Sequence, residues 1–364
     1  MNPYTDQRDL GQGIQGKEEE RVILCDCKRG CLVQRSYFRR VADLLVELIL
    51  QNLISPVTLA FALGMIARWV RSDLEIPSAV YQGLSIYLLF AIGLKGGVSL
   101  SVTPVRELIA PAALTLVLGV LTPLSAFFFL RSLGKLGRTD AAATAAHYGS
   151  VSVVTFIAAI EAVKISGMAS NGYLPALLAV LEVPGIIVGL LLARESKGAG
   201  MKAAIHDVIT GKSIFLMVGG LVIGALCGPE KIAGVAPFFI APFKGVLCIF
   251  LLELGMVAAG RIQDLKSAGF RLILLGCFLP LFHGSIATVC AVAVGMDPGG
   301  GAVFGAMVGS ASYIAAPAAV RLALPEASPG IYLTLSLGVT FPFNLALGIP
   351  LFLYLAKNAP KFLS

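Results

Sequence analysis

Gly149-Ser150-Val151-Ser152 and Gly309-Ser310-Ala311-Ser312 are the stretches on which the fold turns. Each sets small hydroxyl residues inside a long apolar run, and the two runs stand about 160 residues apart in a chain of 364. The correspondence extends beyond the serines. Gly93 pairs with Gly255, Gly149 with Gly309 and Pro184 with Pro342, at offsets of 162, 160 and 158 residues. Offsets this close to constant predict an internal duplication.

Composition sets the class. Hydrophobic residues make up 57% of the chain and charged residues 13%, with a mean hydropathy of +0.86. No soluble domain of this size buries so much apolar surface beneath so thin a polar cover, so the chain is an integral membrane protein. Its apolar runs are continuous, which predicts helices. Lipid offers backbone polar groups no partner, and barrel strands would alternate apolar and polar residues over about ten positions.

Ten runs can be counted, at 44–67, 77–94, 107–130, 140–162, 172–193, 213–227, 236–258, 270–295, 300–322 and 330–356. Most meet or approach the roughly 20 residues that cross a bilayer, and the sixth is short. Five helices per half is an odd number, so the second copy is expected upside down relative to the first. The expected fold is thus all-α, with ten transmembrane helices in two inverted five-helix repeats. The first repeat occupies 41–193, a hydrophilic cytoplasmic linker 194–212, and the second repeat 213–364. The fourth and ninth helices are expected to be broken at the serine clusters and to cross there. Residues 1–40 form a polar, basic extension, disordered or not native to the protein.

Lys and Arg report orientation. The loops after odd-numbered helices hold 13 of them, and the even loops with the C-terminal tail hold 7, which places the odd loops in the cytoplasm and both termini outside. The net charge of +7 is spread over these short loops and is not a nucleic-acid footprint. Residues 1–40 conflict with this topology, because their eight Lys or Arg would have to be translocated. Either that tail is cytoplasmic and the helix count is off by one, or the native chain starts near Val41. The tail is too polar to supply a signal-peptide core. Its Cys25, Cys27 and Cys31 lack a fourth ligand for a structural metal, and Cys227, Cys248, Cys277 and Cys290 are unclustered, as small core residues are.

The paired breaks carry the functional signal. Matched interruptions of hydrophobic segments in two halves of a chain point to a transporter's binding site. A serine in such a break can cap a restarted helix, whose N-terminal N–H groups and dipole favour an anion. Gly149, Ser150, Ser152 and Thr155 on one side, with Gly309, Ser310, Ser312 and Tyr313 on the other, are the substrate-binding candidates. The competing reading is close helix packing through small residues. Ionisable or amide groups inside helices are costly and mark function. Glu182, Glu253 and Asn344, with Gly93 and Gly97, are the sodium or coupling candidates; for the acids an interhelical hydrogen bond or a protonated carboxyl is the alternative. Lys95 reads as a snorkelling anchor rather than a ligand, and His147 and His283 as helix-packing hydrogen-bond formers. No converging nucleophile and base, or paired aspartates, are present, so no catalytic residue is assigned.

Gly-Leu-Lys-Gly-Gly at 93–97, Gly-Ser-Val-Ser at 149–152, Leu-Glu-Val-Pro-Gly at 181–185, Leu-Gly-Met at 254–256, Pro-Leu-Phe-His-Gly at 280–284 and Gly-Ser-Ala-Ser-Tyr at 309–313 together resemble the sodium-dependent bicarbonate transporter family, over about residues 50–356. The resemblance implies a multi-pass protein of a bacterial-type inner membrane that moves bicarbonate with sodium in an elevator-like cycle. It also implies a homotrimer, no cofactor beyond the coupling ion, and docking of a cytoplasmic PII-like regulator. The pattern departs at Tyr313, where cyanobacterial carriers of that family have an aspartate. It departs again at Glu182, which stands in place of an aspartate before the proline of the fifth helix. Another small anion or organic carboxylate, coupled to sodium or protons, is the alternative cargo.

Overall fold

The protein is seen here as a computed structural model that describes residues 46–50, 53–193, 206, 210–262, 269–314 and 316–363. The extension at 1–40, with its three cysteines, and most of the 194–212 linker lie outside the described residues.

The described chain is helical. In order, the helices are α1 (Pro56–Trp69), α2 (Ser78–Val102), α3 (Val105–Ser132), α4 (Arg138–Gly149), α5 (Val153–Ile165), α6 (Leu174–Leu192), α7 (Lys212–Ile232), the short α8 (Ala236–Phe239), α9 (Phe243–Ile262), α10 (Phe270–Ala293), α11 (Pro298–Val308), α12 (Ala316–Ala323) and α13 (Pro329–Ala359). Starts follow local chemistry. Ser55 caps α1 by accepting the Thr58 N–H at 3.2 Å, and proline sits in the first turn of α1, α6 and α11, where no intrahelical donor is lost. Stops use glycine: Gly167 follows α5 with φ +67°, and Gly295 follows α10 with φ +92°.

Among the described residues, eight stretches are long and apolar enough to cross a membrane, counting α4 and α5 as one, and two further apolar helices, α1 and α11, are shorter. Ten runs were expected, most of them near full length and the sixth short. The ninth run falls short because its first helix ends at Val308 and the next begins at Ala316. The sixth run was expected to end at 227, and the helix breaks there: Gly228, with φ 66° and ψ −178°, leaves helical geometry before a further short turn to Ile232.

Two sets of helices can be distinguished by packing. In one set α2 lies on α7 and α1 on α9, with α2 also meeting α9. In the other, α3 packs on α4 and α6, α10 packs on α11 and α13, α4 lies on α6, α11 on α13, and α5 on α11. The first set is held through glycines. A Cβ on Gly93 would stand 2.9 Å from the Gly220 Cα, and one on Gly97 would stand 2.9 Å from the Gly224 Cα, so α2 and α7 touch backbone to backbone. Gly64 and Gly255 do the same for α1 and α9. Between apolar helices in lipid, such close approach recovers van der Waals contact that no hydrophobic force supplies.

Two polar hooks fasten the second set. Asp140 at the start of α4 accepts the Ser328 N–H at 2.8 Å, and Asn171 before α6 accepts the Asp297 N–H at 3.0 Å.

Candidate functional site

The first serine cluster is a short gap between α4 and α5. Helix α4 ends at Gly149, Ser150 is extended at φ −105° and ψ 138°, and Ser152 becomes the N-cap of α5, its Oγ accepting the Thr155 N–H at 3.2 Å. The second cluster follows α11. Gly309 N–H still closes on Gly305 O at 2.8 Å, the backbone then leaves helix, and Ser312 Oγ accepts the Ala316 N–H of α12 at 3.3 Å. Serine at these positions does what its short side chain does best, competing for backbone donors where a helix begins.

The two gaps meet. Ser152 N–H donates to Ser310 Oγ at 2.8 Å, and that hydroxyl donates onward to Met307 O at 2.7 Å. From the other side, Ser312 N–H is shared between His147 O at 2.7 Å and Ser150 O at 3.0 Å. Residues more than 160 apart in sequence are thus bonded backbone to backbone, and the junction is sealed: Ser150 and Ser310 are each 1% exposed.

Glycines and prolines bring the supporting helices close enough. A Cβ on Gly149 would stand 2.8 Å from the Pro123 side chain of α3, and one on Gly309 would stand 2.7 Å from the Pro280 carbonyl of α10. Gly185 of α6 abuts the Gly149 carbonyl so tightly that a methyl there would overlap it. Helix α13 approaches through two π-helical stretches, Thr334–Thr340 and Asn344–Gly348. These wider turns occur frequently at functional sites. Asn344 opens the second of them and donates its Nδ2 to Gly309 O at 2.8 Å.

Several polar atoms here are buried and, among the described residues, lack a hydrogen-bond partner: Ser150 Oγ, Thr155 Oγ1, His147 Nε2, Glu182 Oε2 and Asn344 Oδ1. Leaving such a group unpaired costs about 1–3 kcal/mol each, so native structures keep few of them without reason. Four of the five are oxygens, the donor type that a hard cation takes. Residues 149–155 and 309–314 contain no Lys or Arg, so a bound anion would be held by dipoles and hydroxyls.

The structure brings together most of the sequence candidates and sets others apart. Ser150, Ser152, Thr155, Ser310, Ser312 and the flanking Gly149 and Gly309 share the junction. Tyr313 stands edge-on to Phe341 with ring centroids 5.5 Å apart and brings its hydroxyl beside Ser152. Glu182 is 1% exposed on α6, one turn before Gly185. Gly93 and Gly97 lie in the α2–α7 seam, where neighbouring backbone fills the space that a side chain would need. Glu253 borders a polar cleft with Arg68, Arg71, Asp73 and Glu75, and its Oε2 is buried without a hydrogen-bond partner among the described residues.

The two helical histidines behave as packing residues. His147 Nδ1 lies 2.8 Å from Ala143 O and its ring stacks on Tyr332 at 4.4 Å, while His283 Nε2 lies 2.7 Å from Ser125 Oγ of α3. One link was missed in the sequence. Pro280 cannot donate to the carbonyl four residues back, and that carbonyl, Gly276 O, is taken by Thr340 Oγ1 at 2.7 Å. Since Thr340 spends its proton there, the 2.7 Å contact with Tyr148 is donated by the tyrosine. The proline was the available signal.

Comparison with known protein families gives one match: the Na+-dependent bicarbonate transporter superfamily, over residues 56–357. The chain belongs to this family. The match takes in α1 through almost all of α13, so both serine gaps and every helix supporting them lie inside the family region. No curated protein shows significant similarity to the chain.

Proposed function

We propose that this family member is a secondary transporter that carries bicarbonate together with sodium, with both bound at the junction of the two serine gaps. The carrying observation is that junction: two helix restarts, equivalent in sequence, bonded to each other in a buried place rich in unpaired oxygens. Ser150, Thr155 and Tyr313 are the substrate hydroxyls, aided by the N-terminal N–H groups of α5 and α12. Asn344 Oδ1 and the Glu182 carboxylate are the sodium ligands.

An inverted five-plus-five repeat of ten spans, broken at the fourth and ninth, accounts for the packing. Exchanging the halves turns α2 on α7 into α9 on α1, α3 on α6 into α10 on α13, and α4 on α6 into α11 on α13. The hooks exchange too, Asp140–Ser328 for Asn171–Asp297, each residue moving by 157 positions. Pro123 and Pro280, which back the two gaps, are likewise 157 apart. On this reading the set containing α3–α6 and α10–α13 slides as a unit against α1, α2, α7 and α9, in the manner of an elevator. Odd-numbered loops face the cytoplasm of a bacterial-type inner membrane. Trimeric assembly and a PII-like regulator belong to the same reading and are carried by the family resemblance alone.

Coupling has a simple physical basis. A second anion placed beside the Glu182 carboxylate in a low-dielectric interior is costly, so bicarbonate enters readily only after sodium has offset that charge, and its uptake depends on sodium. With one of each, no net charge moves and the sodium gradient alone drives uptake. Uptake of radiolabelled bicarbonate into proteoliposomes, in sodium and then in potassium medium, tests this. Uptake in sodium alone is expected; equal uptake in both would reject the coupling, and none in either would reject the substrate.

A further inference from the structure

A second feature lies outside the serine junction. A cavity of about 420 Å³ is lined by Lys95 of α2, Phe156, Ile160, Glu161 and Lys164 of α5, and Lys244 of α9. Three lysines and one carboxylate meet there. Glu161 is spent on two of them, bonding Lys164 one turn away and Lys244 at 3.3 Å across the gap between the two helix sets. Both Glu161 oxygens are therefore occupied, and Lys95 has no side-chain partner of its own among the described residues. Two lysine charges remain uncompensated by side chains in a concave, mostly apolar space. The carbonyls ending α5 take up part of the Lys164 charge. A cleft lined by one sign of charge with low-dielectric walls focuses its field and concentrates counter-ions.

The position is suited to entry. Phe156, at the inner wall, donates its N–H to Ser152 O at 3.0 Å, so α5 starts at the serine junction and ends in this basic cavity. All three lysines belong to the end of the bundle that carries the even-numbered loops, the outer end in the proposed orientation.

We propose that this cavity is a vestibular site for a small oxyanion, held by Lys95, Lys164 and Lys244 and separate from the buried serine junction. Glu161 is its built-in competitor. By holding two of the lysines it keeps the site weak, so that an anion captured there passes on. The role of the site as an entry station rests on the transport reading above, whereas its capacity to bind an anion does not.

The test separates the two. Purified protein in uncharged detergent and sodium-free choline medium is titrated with bicarbonate, and the melting temperature is followed against isethionate at the same ionic strength. Bicarbonate is expected to raise it in the wild type and in Ser150→Ala, and to have no effect in the Lys95→Gln/Lys164→Gln double variant. Glu161→Gln, which frees two lysines, is expected to lower the bicarbonate concentration needed. Identical titrations in the wild type and the double variant would overturn the site, whatever the uptake assays give. In proteoliposomes, Lys95→Gln, Lys164→Gln and Lys244→Gln should each raise the KM for bicarbonate about threefold to tenfold and leave kcat within about twofold, as loss of electrostatic focusing would. An unchanged KM in all three would overturn the entry role. Vesicles of phosphatidylcholine alone and with phosphatidylglycerol complete the set. If the lysine variants change uptake only when phosphatidylglycerol is present, a lipid phosphate occupies the cavity and the proposal fails.

Discussion

The two serine gaps look equivalent in sequence and differ in how they are built. The first is a gap of three residues followed by a 13-residue helix, and it leaves the hydroxyls of Ser150 and Thr155 unpaired. The second begins at Gly309 and precedes an 8-residue helix; its serine hydroxyls are spent, and the Tyr313 hydroxyl alone of its side-chain oxygens is left unpaired among the described residues. Ser310 bonds Ser152 N–H and Met307 O, Ser312 bonds Ala316 N–H, and Asn344 holds the Gly309 carbonyl. The motif occurs twice in the sequence, and the fold uses the two copies differently. The serines of the second gap brace the junction, and on the proposed reading the first gap and Tyr313 keep oxygens free for cargo.

The strongest way to break this contrast is to wedge the first gap open. Gly185→Ala puts a methyl into the Gly149 carbonyl, and overpacking of this kind costs about 1–3 kcal/mol or more. A clear fall in melting temperature is expected, together with loss of uptake. Gly219→Ala, whose methyl meets nothing within 4 Å, should leave both unchanged. Equal behaviour of the two variants would mean that the seam at Gly149 is not tight.

Single serine replacements sharpen the comparison. Ser150→Ala removes a hydroxyl with no protein partner, so the melting temperature should hold while uptake falls about tenfold or more, the worth of one hydrogen bond to a charged ligand. Ser310→Ala should instead destabilise the protein by about 1–3 kcal/mol, because it orphans the buried Ser152 N–H. Thermal melts and initial rates on the same preparations give both readings. The reverse pattern would exchange the roles assigned to the gaps.

The smallest expected effect concerns Glu182. Glu182→Gln keeps the shape and removes the charge, and charge-assisted contacts are roughly twice as strong as neutral ones. A half-saturating sodium concentration raised about fivefold is expected, with bicarbonate KM at saturating sodium little changed. An unaltered sodium dependence would remove Glu182 from the ion site.

Much of this was legible because lipid simplifies the code. Apolar run length gave most of the helices, and the near-constant offsets from Gly93 to Pro342 are the sequence basis of the proposed repeat. The serine gaps were legible because hydroxyls and glycine are costly in such runs without a purpose. What escaped depended on a third dimension that spacing does not encode. Gly93 and Gly97 were read as ion candidates, although Gly93-x-x-x-Gly97 and Gly220-x-x-x-Gly224 are matching packing motifs and the seam could have been found from them. The cleft beside Glu253 escaped because its apolar neighbours in sequence give no sign of the residues that α1 brings there. Lys95 read as a snorkelling anchor, Lys164 and Lys244 only as charges counted among separate loops, and folding alone brings the three to one cavity with Glu161.

Thr340 gives the last consequence. Its hydroxyl accepts from Tyr148 of α4 and donates to Gly276 O of α10, so one atom of α13 rivets two other helices, drawn from both halves of the chain. On the proposed elevator reading, a vertical stroke of the serine junction carries those three rods as a single carriage. Replacing that hydroxyl with a methyl would loosen the carriage itself and leave its rails untouched.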